Sequence, residues 1–161
     1  MRGVRLNVTH MSAAPGSHAS HCTIYTDGGA RGNPGPAAAG AVILADDGSV
    51  VAEISEYLGV ATNNVAEYRA LLLALRQALE QGCRRADICV DSELVVRQLA
   101  GEYRVKDAKI IPLHAQVRSL LRRFDEARVT HVRREQNRQA DKLVNAALDA
   151  AGGNSAEEGS E

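Results

Sequence analysis

The spacing of apolar residues changes period along the chain, and that change limits the folds it can adopt. Residues 22–27 (CTIYTD) form a β-branched and aromatic run, the mark of a strand. A turn rich in glycine and proline follows at 28–36 (GGARGNPGP). Residues 38–44 and 50–58 are two more strand-like runs around the turn at Asp46-Asp47-Gly48-Ser49, which makes a hairpin. The period then lengthens. Val65, Tyr68, Leu72, Leu75 and Leu79 recur at helical spacing, with Thr62 or Asn63 available as a cap and Gly82 as a stop. A strand over 86–91 (ADICVD) precedes a short helix capped by Ser92 that stops near Gly101. Residues 108–124 predict another helix and 127–132 another strand, and Asn137 is placed to cap a last helix. The order β β β α β α α β α calls for an α/β fold, a mixed sheet flanked by helices.

The ends differ from this middle. Residues 1–20 are rich in Ser, Ala, Gly and His without periodicity, and 151–161 read AGGNSAEEGSE. Both are expected to be loosely attached: a disordered extension over 1–20 and a flexible acidic tail over 151–161, flanking one domain at 21–150. No apolar run nears the roughly 18–20 residues that span a bilayer, and no continuous apolar stretch near the start suggests a secretory signal. The three cysteines, Cys22, Cys83 and Cys89, contain no CxxC pair and are expected as reduced thiols in a cytoplasmic protein. The net charge is -1, yet residues 97–134 hold ten Lys/Arg against four Asp/Glu, a local balance of +6. That stretch suits either a solvated face or a surface for phosphates.

Four acids stand at the ends of these elements. Asp27 and Asp91 each close an apolar strand, and a strand–helix–strand crossover makes the two strands parallel neighbours. Ligands of open α/β sheets bind at such carboxyl ends. Glu67 lies in the first turn of its helix beside the apolar stripe, and Asp141 lies near the start of the last helix. Taken singly, each could be a cap or a partner of the helix dipole. Converging, they would repel one another strongly unless cations neutralised them. Hard divalent cations with oxygen ligands are the natural solution, and two such ions can assist cleavage of a phosphodiester. The glycine-rich turn does not fit a dinucleotide fold, because a strand follows it where that fingerprint needs a helix.

With these residues in view, the chain resembles type 1 ribonuclease H, in the subgroup lacking a basic protrusion. YTDGGARGNPGP at 25–36 looks like the family's first strand and turn, TNNVAEY at 62–68 like its helix start, Asp91-Ser92 like the third acid, and NRQAD at 137–141 like its final element. The resemblance covers residues 22–149. It implies the ribonuclease H-like fold, a five-stranded mixed sheet of order 3-2-1-4-5 counted from the strand at 22–27. It implies cutting of the RNA strand of RNA–DNA hybrids with two Mg2+ ions (Mn2+ the alternative), leaving 3′-hydroxyl and 5′-phosphate ends. Asp27, Glu67, Asp91 and Asp141 would be the catalytic, metal-binding set. Gly28, Asn33, Thr62, Asn63 and Asn64 would contact the hybrid, with Thr62 and Asn33 on a DNA phosphate. The implied protein is a monomer without membrane attachment or obligate protein partner.

The sequence departs from the family twice. A histidine common in the loop before the last acid is absent, since the loop reads RREQN at 133–137 and His131 falls inside a predicted strand. Arg134 or Glu135 is the candidate to take its place. The chain also has no Trp and only a short link around 99–111, where Arg104, Lys106 and Lys109 remain as phosphate contacts. Two other function classes are open to the sequence: a non-catalytic binder of hybrids or duplex RNA, and a DNA nuclease or junction resolvase on the same fold.

Overall fold

A computed structural model describes residues 3–7 and 20–160, with side chains described over 20–152. Its elements are β1 (Gly3–Asn7), β2 (His21–Ala30), β3 (Gly35–Ala45), β4 (Val50–Ala61), α1 (Asn63–Glu80), β5 (Arg85–Val90), α2 (Glu93–Leu99), α3 (Ile110–Leu121), β6 (Glu126–His131) and α4 (Arg138–Ser160), with a 3-10 turn at Arg134–Gln136 before α4. The sheet order is β1-β6-β5-β2-β3-β4. The five strands from β2 onward therefore reproduce the expected order 3-2-1-4-5. β2, β3 and β4 are antiparallel, whereas β5 runs parallel to both β2 and β6.

The two helix layers bury different amounts. α1, α2 and α3 cover one face, where Ile24, Ile43, Leu71, Leu75, Ile88, Leu99, Phe124 and Val129 form the main core. α4 lies on β2, β3 and β4 and contributes a small cluster of Val144 and Leu148 on Ala38. β3 is buried on both faces, and its Ala37, Ala38, Ala39 and Ala41 are fully buried. Such small side chains let helices come close to the sheet from either side. Gly40 takes this furthest: a Cβ there would stand 2.4 Å from the carbonyl oxygen of Ala140 and 2.9 Å from the backbone nitrogen of Val144. α4 therefore rests on β3 at a residue that must lack a side chain.

Several expectations are corrected. Within the segment expected to be disordered, Gly3–Asn7 is a strand paired antiparallel to β6. Without it, β6 would present an open row of N–H and C=O groups. The rest of that expectation, 1–2 and 8–19, lies outside the described residues. α4 continues to Ser160, through most of the stretch expected to be a flexible tail, as a helix already nucleated on the sheet can propagate one residue at a time. Cys22 and Cys83, expected as free thiols, form a disulfide with a Cα–Cα distance of 6.1 Å. They are 61 residues apart, and only the return of the chain after α1 brings them together. Cys89 is free.

Candidate active site

The register of two parallel strands builds the centre of the site. Thr26 pairs with Val90, so the next residue on each chain, Asp27 and Asp91, emerges side by side at the carboxyl end of the sheet. α1 brings the third acid. Thr62 caps the helix by accepting from the Val65 N–H at 3.2 Å, which places Glu67 near the helix start. The helix can approach because Gly28 has no side chain: a Cβ there would stand 2.2 Å from the carbonyl oxygen of Ala66. One oxygen from each of Asp27, Glu67 and Asp91 lies within 4.8 Å of the others.

Asp141 approaches from α4, the helix seated on Gly40, and Gly40 is the cross-strand partner of Asp27. It is exposed and lies outside the tight group of three, but it lines the same cavity of about 400 Å³. All four acids thus meet at one opening, delivered by two strands and two helices.

The electrostatics of this opening are strained. Asp27 is only 8% exposed. Its pKa is pushed up to about 8, first by burial and then by Asp91 and Asp141. Glu67 is held well above the usual carboxylate range by burial, with Asp27 and Asp91 adding to it and Arg134 opposing. A buried oxygen of Glu67, Oε1, has no hydrogen-bond partner. A buried polar atom without a partner is costly. Here it belongs to a group of clustered carboxylate oxygens, the donor set that suits a hard divalent cation. The residues present fit such an ion.

Asn137 differs from its expected role. Its side chain does not cap α4. Instead Nδ2 donates to the Thr26 carbonyl and to Asp91 Oδ2, both at 2.9 Å, and Oδ1 is buried without a partner. Asn137 thereby fixes the Asp91 carboxylate against the end of β2. Its place four residues before Asp141 in the NRQAD motif is the one signal the sequence offered for this.

Of the residues expected to contact a hybrid, two are joined by a hydrogen bond beside the cavity. The Asn63 N–H donates to Asn33 Oδ1 at 3.0 Å, and Asn63 Oδ1 accepts from the Ala30 N–H at 2.8 Å. This clasp joins the glycine-rich turn to the start of α1. Gly28 and Asn63 line the cavity; Asn33, Thr62 and Asn64 do not. Arg134 lines it as well, whereas His131, at the end of β6, and Glu135 do not. Sequence reasoning passed over Arg31 and Asn145, which also border the opening. A polar residue on a turn and one on a helix face carry no periodic signal to single them out.

Known proteins resemble this chain in sequence and in fold. A family model described as Reverse transcriptase-like matches residues 25–147. Ribonuclease HI of Halobacterium salinarum is 46% identical over 127 residues, 79% of this chain and 64% of that protein. Its crystal structure aligns with a TM-score of 0.79 at 44% identity, covering 81% of this chain and 99% of that one. The bifunctional protein Rv2228c of Mycobacterium tuberculosis is 45% identical over 129 residues, 80% of this chain but 35% of that protein. LC11-RNase H1, isolated from compost and solved in complex with an RNA/DNA hybrid, aligns with a TM-score of 0.76 at 42% identity, covering 81% of this chain and 98% of that one. The chain thus spans about a third of the mycobacterial relative's length and under two thirds of the halobacterial one's.

Proposed function

Because the chain belongs to the ribonuclease HI family, in the subgroup without the basic protrusion, we propose that it is an endonuclease cutting the RNA strand of RNA–DNA hybrids. The observation that carries this reading is the meeting of Asp27, Glu67 and Asp91 at one point, with Asp141 at the same opening. Two Mg2+ ions, or Mn2+ in their place, would be held by these four acids and would supply charge neutralisation at the phosphate and a more acidic attacking water. The reaction adds water across the phosphodiester. The water oxygen bonds to phosphorus, the bond to the 3′-oxygen breaks, and that oxygen takes up a proton. A 3′-hydroxyl and a 5′-phosphate result.

The chain's own residues prepare this chemistry. Asn137 holds the Asp91 carboxylate in one orientation. Arg134 places a positive charge toward Glu67, and we assign it the place of the family's loop histidine, where it steadies charge at the departing group. Asn63 and Asn64 are small polar residues suited to reading base edges and 2′-hydroxyls, the groups that distinguish RNA from DNA. Thr62 and Asn33 would bind a DNA phosphate, and Gly28, which lines the cavity, would offer its backbone to the hybrid. Exposed Arg104, Lys106 and Lys109, on the short link between α2 and α3, add phosphate contacts whose strength falls with salt. The catalytic residues all lie within 21–150, and the protein would act as a monomer in the cytoplasm. Among the described residues, no helix is long and apolar enough to cross a membrane.

Strand-labelled substrates test the reading. With Mg2+ or Mn2+, the RNA strand of a hybrid should be cut into fragments with 5′-phosphate ends. Duplex DNA, branched DNA and duplex RNA should remain intact. Equal cutting of DNA would transfer the protein to another nuclease class, and binding without metal-dependent turnover would make it a binding module.

A further inference from the structure

Arg31 stands just beyond the end of β2 and lines the same cavity as the four acids. Its backbone is fixed on both sides: its own N–H donates to the Pro36 carbonyl at 2.8 Å, and the Ala30 N–H donates to Asn63. Its guanidinium reaches across to α4, where Nη2 lies 2.8 Å from Asp149 Oδ1 and 3.3 Å from Asn145 Oδ1. Asn145 in turn donates to Asp141 Oδ2 at 3.3 Å. Asp141, Asn145 and Asp149 recur every four residues along one face of α4, so the guanidinium is two hydrogen bonds from a proposed metal ligand.

The ion pair is open to water, with side chains 49% and 70% exposed. Such a pair adds little to folding stability. Its position matters more. Arg31 and Arg134 are the two cationic residues lining the cavity. Arg134 acts on Glu67, which leaves Arg31 as the cation turned away from the acid cluster and toward the rim. A planar guanidinium binds phosphate through two parallel hydrogen bonds, and a phosphate at the rim would compete directly with the single oxygen of Asp149.

Resting on the hybrid-cutting reading, we propose that Arg31 grips a backbone phosphate of the hybrid next to the one that is cut, and that Asp149 holds its guanidinium until the hybrid arrives. Asp149 then acts as a stand-in for phosphate, and binding exchanges one anion for the other. The two partners have opposite effects on the substrate, which separates this role from a merely structural one.

The test measures kcat and KM of the full chain on a hybrid across a range of salt concentrations. Arg31→Ala should raise KM about five- to tenfold, consistent with loss of one phosphate contact, and flatten the slope of log(kcat/KM) against log salt by about 1. Arg31→Lys should recover part of the loss. Asp149→Asn should lower KM, because the competing carboxylate is gone. Both substitutions remove the same ion pair, so a structural role would move KM in the same direction for both. A KM for Arg31→Ala within twofold of wild type, an unchanged salt slope, or a raised KM for Asp149→Asn overturns the proposal. If wild type cuts hybrids, those results leave the function standing; a wild type inert on hybrids removes both.

Discussion

Asp27 and Glu67 are the residues at which folding and function pull apart. Each has its carboxyl raised far from the ordinary range by burial and by neighbouring acids. For Asp27 the ordinary value is 3.8 and the folded value about 8, so between these the folded chain keeps a proton that the unfolded chain releases. In metal-free buffer, the contribution of Asp27 to stability should therefore be greatest below about pH 4, fall as pH rises toward 8, and level off above it, so that replacing it by Asn should remove this part of the profile. Thermal melts of both chains in chelator across that range check this, and a profile left unchanged by Asp27→Asn would contradict it. Glu67→Gln and Asp141→Asn each remove one mutually repelling carboxylate, and each should raise the metal-free melting temperature at pH 8 by about 2–4 °C, equivalent to roughly 1 kcal/mol. The four acids were legible in the sequence because each stands near an end of an expected element, Asp27 and Asp91 closing strands and Glu67 and Asp141 near helix starts. The contact made by Asn137 was not. An asparagine before a helix reads as a cap, and only the folded sheet puts it against Asp91.

Two helices carry acids to the sheet, and each is admitted by a glycine. Gly28 makes room for the start of α1 and Gly40 for α4. A methyl group at either position would meet backbone, which cannot move aside as a flexible side chain can. Gly40→Ala should thus push α4 off β3, cost about 2–3 kcal/mol, and lower hybrid cutting more than its loss of stability explains, because Asp141 moves with the helix. Melting and activity measured together check this; a variant with wild-type values for both would show that α4 is not seated on Gly40. The element order was readable from the change of period, and the ends of β5, α2 and β6 fell within a residue or two of expectation. β1 escaped because a short strand at a sheet edge needs a partner before it has any signal, and that partner, β6, lies far along the chain. The Cys22–Cys83 link escaped for the same reason.

Over the whole molecule, charge is divided by position. The acids gather at the carboxyl end of the parallel strands, while the surplus of cations in 97–134 is spread over α2, α3, β6 and their links, with Arg134 the one of them that lines the acids' cavity. Part of that surplus is spent locally, since Arg97 is held by Glu93 and Glu102. The net charge of -1 is therefore no guide to the local charge that a nucleic acid would meet. The central claim is that the converging acids act as one metal-holding unit. Cleavage of the RNA strand of a labelled hybrid by wild type, Asp27→Asn, Glu67→Gln and Asp91→Asn, each with Mg2+, with Mn2+ and in chelator, tests it most directly. The account predicts cutting by wild type only when a divalent metal is present, and a loss of about a hundredfold or more in each variant, equivalent to some 3 kcal/mol of barrier; undiminished cutting by Asp27→Asn or Asp91→Asn, or by wild type in chelator, would contradict it.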